Sequence, residues 1–105
     1  MHDVVLVLTT FPIDPDEANA FARTLVEERL AACVNVHSAV TSIYRWEGAI
    51  EEAVERQLAI KTTTARLEAL KARIKELHPY DVPEILVVPI AGGGEEYLRW
   101  VMDSV

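Results

Sequence analysis

The feature that most constrains this chain is a long stretch in which strand-forming side chains alternate with polar ones. From Ala32 onward, Val34, Val36, Val40, Ile43, Tyr44 and Trp46 have the β-branched and aromatic composition of a strand, with a bulge admissible near Ser38-Ala39. Glu47-Gly48 reads as a turn, after which Ile50, Val54, Leu58 and Ile60 alternate with Glu51, Glu55, Gln57 and Lys61. Residues 33–46 and 49–61 therefore form one long hairpin. Each of its strands, about 13 residues at 3.3 Å per residue, reaches about 43 Å.

The elements around the hairpin are short. Val4 to Thr10 is β-branched and apolar on both parities, as in a strand covered on both faces. Phe11-Pro12-Ile13-Asp14-Pro15 is a loop leading into a helix, with Asp14 as N-cap, Pro15 at the first helical position and Glu17 completing a capping box. That helix is expected to run to about Leu30. Thr62-Thr63-Thr64 offers hydroxyl caps for a second helix, in which Leu67, Leu70, Ile74 and Leu77 share a face and which ends before Pro79. Residues 84–90 form a short apolar strand, Gly92-Gly93-Gly94 breaks it, and 95–105 is a last short helix.

The order β-α-β-β-α-β plus a helix predicts an α+β fold, a ferredoxin-like sandwich with two helices on one face of an antiparallel sheet. Helices of about 14 residues span only about 21 Å, so the hairpin outruns its cover. Its far end carries Ile43, Tyr44, Trp46 and Ile50, apolar surface that is costly to leave in water. Either other copies of the chain cover it, or the hairpin bends back on its own sheet at the bulge.

With 105 residues the chain is one small domain, and half its residues are apolar, which excludes a disordered chain. A single cysteine excludes an internal disulfide and a cysteine-rich zinc site. The net charge of −7 argues against nucleic-acid binding, which needs a cationic face. The N-terminal apolar run, Val4 to Leu8, is too short for a signal peptide or a membrane span, so the expected setting is cytoplasmic with no membrane partner.

Several segments share an order and spacing: Val7-Leu8-Thr9-Thr10-Phe11-Pro12, Leu30-Ala31-Ala32-Cys33-Val34-Asn35, Ser42-Ile43-Tyr44-Arg45-Trp46-Glu47-Gly48, Lys61-Thr62-Thr63, His78-Pro79-Tyr80-Asp81-Val82-Pro83-Glu84 and Tyr97-Leu98-Arg99-Trp100. Together, from about residue 4 to residue 102, they resemble the CutA divalent-cation tolerance proteins. The resemblance implies one CutA-like domain over residues 1–105, in a cytosolic homotrimer related in architecture to the PII signalling proteins, with long hairpins packing across subunits. It further implies a part in tolerance to divalent metals, copper above all, with Cu(II) binding reported for some members and no established enzymatic reaction. Fold kinship alone does not settle function. Two readings follow from the resemblance: a non-enzymatic protein that binds Cu(II) or another divalent cation weakly, or a PII-like signalling or scaffold trimer holding a metabolite or protein partner at the subunit interface.

The resemblance also marks residues. The His of the His-Pro-Tyr motif is proposed as a copper ligand in the family, and His78 matches it, with Glu84 as a carboxylate that could assist. The other reading of His78 is a helix C-terminal imidazole that stabilises the dipole and packs the turn. Some members carry a Cys at the end of strand one in their proposed copper sites; here the stretch is Thr9-Thr10, which leaves a harder, less copper-selective donor set. Tyr44, Trp46, Lys61 and Tyr80 belong to the shared signature and would either line a pocket between subunits or pack an interface, with Lys61 paired to Glu55 or Glu84. Cys33 is expected to be a structural thiol, since free cysteines are usually buried small hydrophobes. No catalytic residue is assigned: a Cys33/His78/Asp81 triad has no supporting spacing, and Glu95 and Glu96 after the glycines would repel a phosphate.

Overall fold

The computed structural model describes residues 2–105. Strand β1 (Val4–Pro12) runs through the interior of a four-stranded antiparallel sheet, between β3 (Ala49–Thr63) and β4 (Leu86–Pro89), with β2 (Cys33–Trp46) outside β3. Helices α1 (Pro15–Glu27) and α2 (Leu67–Leu77) cover one face. A shorter α3 (Glu95–Asp103) packs against the start of β1. This is the expected ferredoxin-like α+β sandwich.

The main core gathers Val7 and Phe11 of β1, Leu58 and Ile60 of β3, and Ala18, Phe21, Leu25, Leu70 and Ile74 from the helices. A second cluster joins Val4 and Ala32 to Val101 of α3. Side chains alternate along β1, so cover from two sides buries both parities near its start, which is why its sequence lacks a polar face.

Asp14 caps α1 as expected, but its Oδ1 accepts from the Asp16 N–H at 2.9 Å, one position short of the capping-box geometry. The helix stops at Glu27 rather than near Leu30. Arg29 takes a left-handed conformation (φ 57°), its N–H reaches Val26 O at 3.0 Å, and the Leu30 N–H reaches Leu25 O at 3.0 Å. These two bonds make a Schellman ending, with Leu25 and Leu30 both in the core. The expected threonine caps of α2 are not used. β3 continues to Thr63, Thr64–Arg66 is a 3-10 turn, and the buried Thr62 hydroxyl donates to Leu30 O at 2.7 Å. A strand position pre-empts the cap because Val4 and Val5 pair with Thr63 and Thr62.

The hairpin is as long as the alternation requires. The molecule measures 44 × 26 × 24 Å. Residues 33–36 pair with 58–61, and 39–46 pair with 49–56, with the register shift between Val36 and Ala39. Arg56, opposite Ala39, donates from Nε to Ile13 O at 2.7 Å and from Nη1 to His37 O at 3.2 Å. It thereby satisfies a carbonyl that the bulge takes out of the ladder. Glu47 (φ 49°) and Gly48 (φ 83°) form the turn, both left-handed, matching the twist of the strands. Beyond the bulge the hairpin does not fold back: Ile43 is 65% exposed, Ile50 61%, Val54 58% and Trp46 49%. The accessible area is 6566 Å², against about 5,900 Å² for a compact monomer of this mass.

Arg29 holds a conformation that costs an L-residue roughly 1–2 kcal/mol and glycine little. Arg29→Gly is expected to raise stability by about 0.5–1 kcal/mol, after the added entropy of a glycine in the unfolded chain. Thermal or urea unfolding of the two proteins checks it.

Candidate functional site

Pro79 cannot continue α2, so the chain turns at His78, whose backbone is extended and whose N–H closes the helix on Ile74 O at 2.8 Å. The turn sends the imidazole inward. It is 7% exposed, with ring centroids 5.0 Å from Phe11, 6.0 Å from Phe21 and 4.6 Å from Tyr80. Nε2 lies 2.6 Å from the Thr10 carbonyl, and Nδ1 is 3.1 Å from the Tyr80 backbone N–H. A carbonyl only accepts and an amide N–H only donates, so the proton is on Nε2 and the ring is neutral. Burial pushes the His78 pKa below the ordinary imidazole value, against the opposing pull of the Thr10 carbonyl and the Glu55 charge. β4 pairs with β1 only along Val5–Leu8, and His78 supplies a donor to Thr10, two residues past that pairing.

Tyr80 carries the same corner toward the hairpin. Its hydroxyl donates to Glu55 Oε2 at 3.0 Å, and Glu55, on β3 across from Pro12 and Val40, is itself 7% exposed. Burial, the Glu55 hydrogen bond and charge, and nearby Tyr44 hold the Tyr80 phenol up at about 12. Sequence reasoning missed this pair; Glu55 sits in the alternation like any solvent-facing carboxylate. Nor does it meet Lys61, whose Nζ lies 5.4 Å from the Tyr97 ring centroid.

The other marked residues are dispersed within one chain. Trp46 pairs with Ala49, twelve residues along β3 from Lys61, or about 40 Å of strand. Tyr44, exposed, lies on the face that carries Glu55. Cys33 opens β2, half-buried and directly across the ladder from Lys61. Glu84 is exposed ahead of β4. Among the described residues no three His, Cys, Asp or Glu side chains gather as a metal ligand set. With both ring nitrogens of His78 engaged, the donors that the resemblance points to do not fit a metal ion in a single chain.

The model of the CutA1 divalent ion tolerance protein family matches residues 5–104. The chain belongs to this family. It is 51% identical over 104 residues to the divalent-cation tolerance protein CutA of Thermus thermophilus, covering 99% of this chain and 98% of that one. The protein of the same name from Pectobacterium atrosepticum is 44% identical over 103 residues, covering 98% and 93%. The solved divalent cation tolerance protein of Thermus thermophilus superposes with a TM-score of 0.92 at 50% identity, over 96% of this chain and 97% of that one. These are names of tolerance proteins; none of the three is an enzyme's. Family members are also named periplasmic in Archaeoglobus fulgidus and chloroplastic in Arabidopsis thaliana, so membership does not fix a compartment. No helix among the described residues is long and apolar enough to cross a membrane.

A buried neutral His78 gives stability a definite pH dependence. The unfolded imidazole takes up a proton near its ordinary pKa, and the folded one only at lower pH. The stability held above about pH 7 is therefore lost as the pH falls. Melting curves between about pH 7.5 and 5.5 should show a falling midpoint for the wild type and a shallower fall for His78→Gln.

Proposed function

We propose that the chain serves divalent-cation tolerance, with copper(II) as the foremost ion, as a non-enzymatic cytoplasmic homotrimer that binds the ion weakly. The observation that carries the oligomer is the uncovered hairpin end, where Ile43, Trp46, Ile50 and Val54 are about half exposed or more. Among the described residues no element is left to cover them, and a second copy presents the same apolar strands. Family membership supports the divalent-cation role. The acidic chain supports cation attraction: three copies at −7 each carry −21.

For copper itself His78 is the proposed imidazole donor and Glu84 its carboxylate partner. Ligation requires Nδ1 to give up the Tyr80 N–H, or Nε2 to give up Thr10. That requirement supports weak binding. A PII-like sensor has less behind it: Tyr44, Trp46 and Lys61 share a pocket only if different copies contribute them.

Light scattering should give about three times the 11.7 kDa chain mass; a mass near one chain refutes the oligomer. Calorimetric titration with Cu(II) should show weak binding that His78→Ala reduces, and equal binding by the two proteins refutes the ligand assignment.

A further inference from the structure

Glu55 is a buried carboxylate with no positive charge beside it. Its one hydrogen-bond partner among the described residues is the Tyr80 hydroxyl, which is neutral. The ion pairs among those residues join Lys71 to Glu68 and Arg73 to Glu28 and Glu76, and none includes Glu55. Arg56, next in the chain, points to the other face of the strand, where it serves Ile13 and His37. The residues around Glu55 on its own face, Pro12, Val40, Ala53 and Gln57, carry no charge. Nearby His78 is neutral. A carboxylate so placed gains from an opposite charge brought to its free oxygen.

The arrangement is open on one side. No buried side-chain oxygen among the described residues lacks a partner. Glu55 Oε2 takes the Tyr80 hydroxyl and no donor reaches Oε1, so Oε1 is the oxygen still in contact with solvent. Tyr80 stands on one side of it, and Tyr44 lies two side chains along the same face of β2. Both tyrosines are partly exposed.

We propose that Glu55, Tyr80 and Tyr44 form a receptor for an organic cation, an ammonium or guanidinium group that donates to Glu55 Oε1 and lies against the tyrosine rings. A charge-assisted hydrogen bond and a cation–π contact are what a carboxylate bonded to one phenol provides, with a second phenol, Tyr44, further along the same face of the hairpin. A metal ion uses less of this site: a phenol ring face offers a hydrated Mg²⁺ or Ca²⁺ no ligand, and the site has no free imidazole or thiolate for copper. The cation comes either from a lysine or arginine of a second copy or from a free amine. The site adjoins His78 through Tyr80, but the proposal does not rest on copper binding there.

The test compares wild type, Glu55→Gln, which keeps an acceptor for Tyr80 but no charge, and Glu55→Asp, which keeps the charge. Methylguanidinium and butylamine are titrated while the Tyr80 amide is followed by NMR, and self-association is measured by sedimentation across a dilution series. If a free amine is the ligand, wild type shows a saturable shift, Glu55→Gln loses it by roughly tenfold or more in affinity, and Glu55→Asp retains part of it. If a second copy supplies the cation, Glu55→Gln weakens self-association by a similar factor and methylguanidinium competes with assembly in wild type. The proposal is overturned if Glu55→Gln, folded by circular dichroism, matches wild type in both measurements. A monomeric wild type refutes the oligomer reading and leaves the free-amine arm standing.

Discussion

The structure is governed by a mismatch of lengths. β2 and β3, of 14 and 15 residues, are paired almost throughout, while the helices laid on their sheet have 13 and 11 residues. A strand rises about 3.3 Å per residue and a helix 1.5 Å, so two helices cannot cover this hairpin however well they pack. The covered half carries Val34, Val36, Leu58 and Ile60 into the core, and the uncovered half leaves comparable side chains in water. Full burial of each such side chain is worth roughly 1.5–3 kcal/mol. A single chain thus folds with several such contributions unrealised. Charges at Arg45, Glu47, Glu51 and Glu52 line the same region and disfavour indiscriminate strand pairing there.

At the other end of β1 the constraint is the supply of hydrogen bonds. β4 has only four residues. Past Leu8 the strand lies beyond β4, and the chain meets the need with an imidazole rather than with more strand. The position suits histidine because the neutral ring offers one donor and one acceptor on opposite sides, while it packs in T-shaped contact with Phe11 and Phe21 and tilted against Tyr80. The same turn delivers Tyr80 to Glu55, so residues 78–80 join the end of α2, the edge of β1 and the root of the hairpin.

What the sequence disclosed follows from the range over which each signal acts. The Asp14-Pro15 start of α1, the alternation of the hairpin and the bulge before Ala39 are local patterns, and each appears where it is written. The end of α1 at Glu27 leaves no such mark, because the Schellman position that usually announces itself as glycine is occupied by Arg29. The three threonines read as helix caps because nothing in that run reveals that Val4 and Val5 claim Thr63 and Thr62 as strand partners. The Tyr80–Glu55 bond spans 25 positions. Only the fold shows that the odd-numbered face of β3, polar in composition, is covered at Glu55 by the loop that follows α2.

That cover bears on the metal chemistry. An exposed loop histidine would be a ready ligand, whereas His78 is a structural donor and acceptor whose release leaves either the Thr10 carbonyl or the Tyr80 N–H without its partner. Breaking one such buried bond costs about 1–3 kcal/mol, so a metal at His78 must first offset that loss. Thr9 and Thr10 beside it bring hydroxyls and no thiol, so the compensation available there from soft donors is small. His78 therefore accepts a metal only at the expense of the corner it holds together, since each ring nitrogen that could ligate is already committed to the backbone.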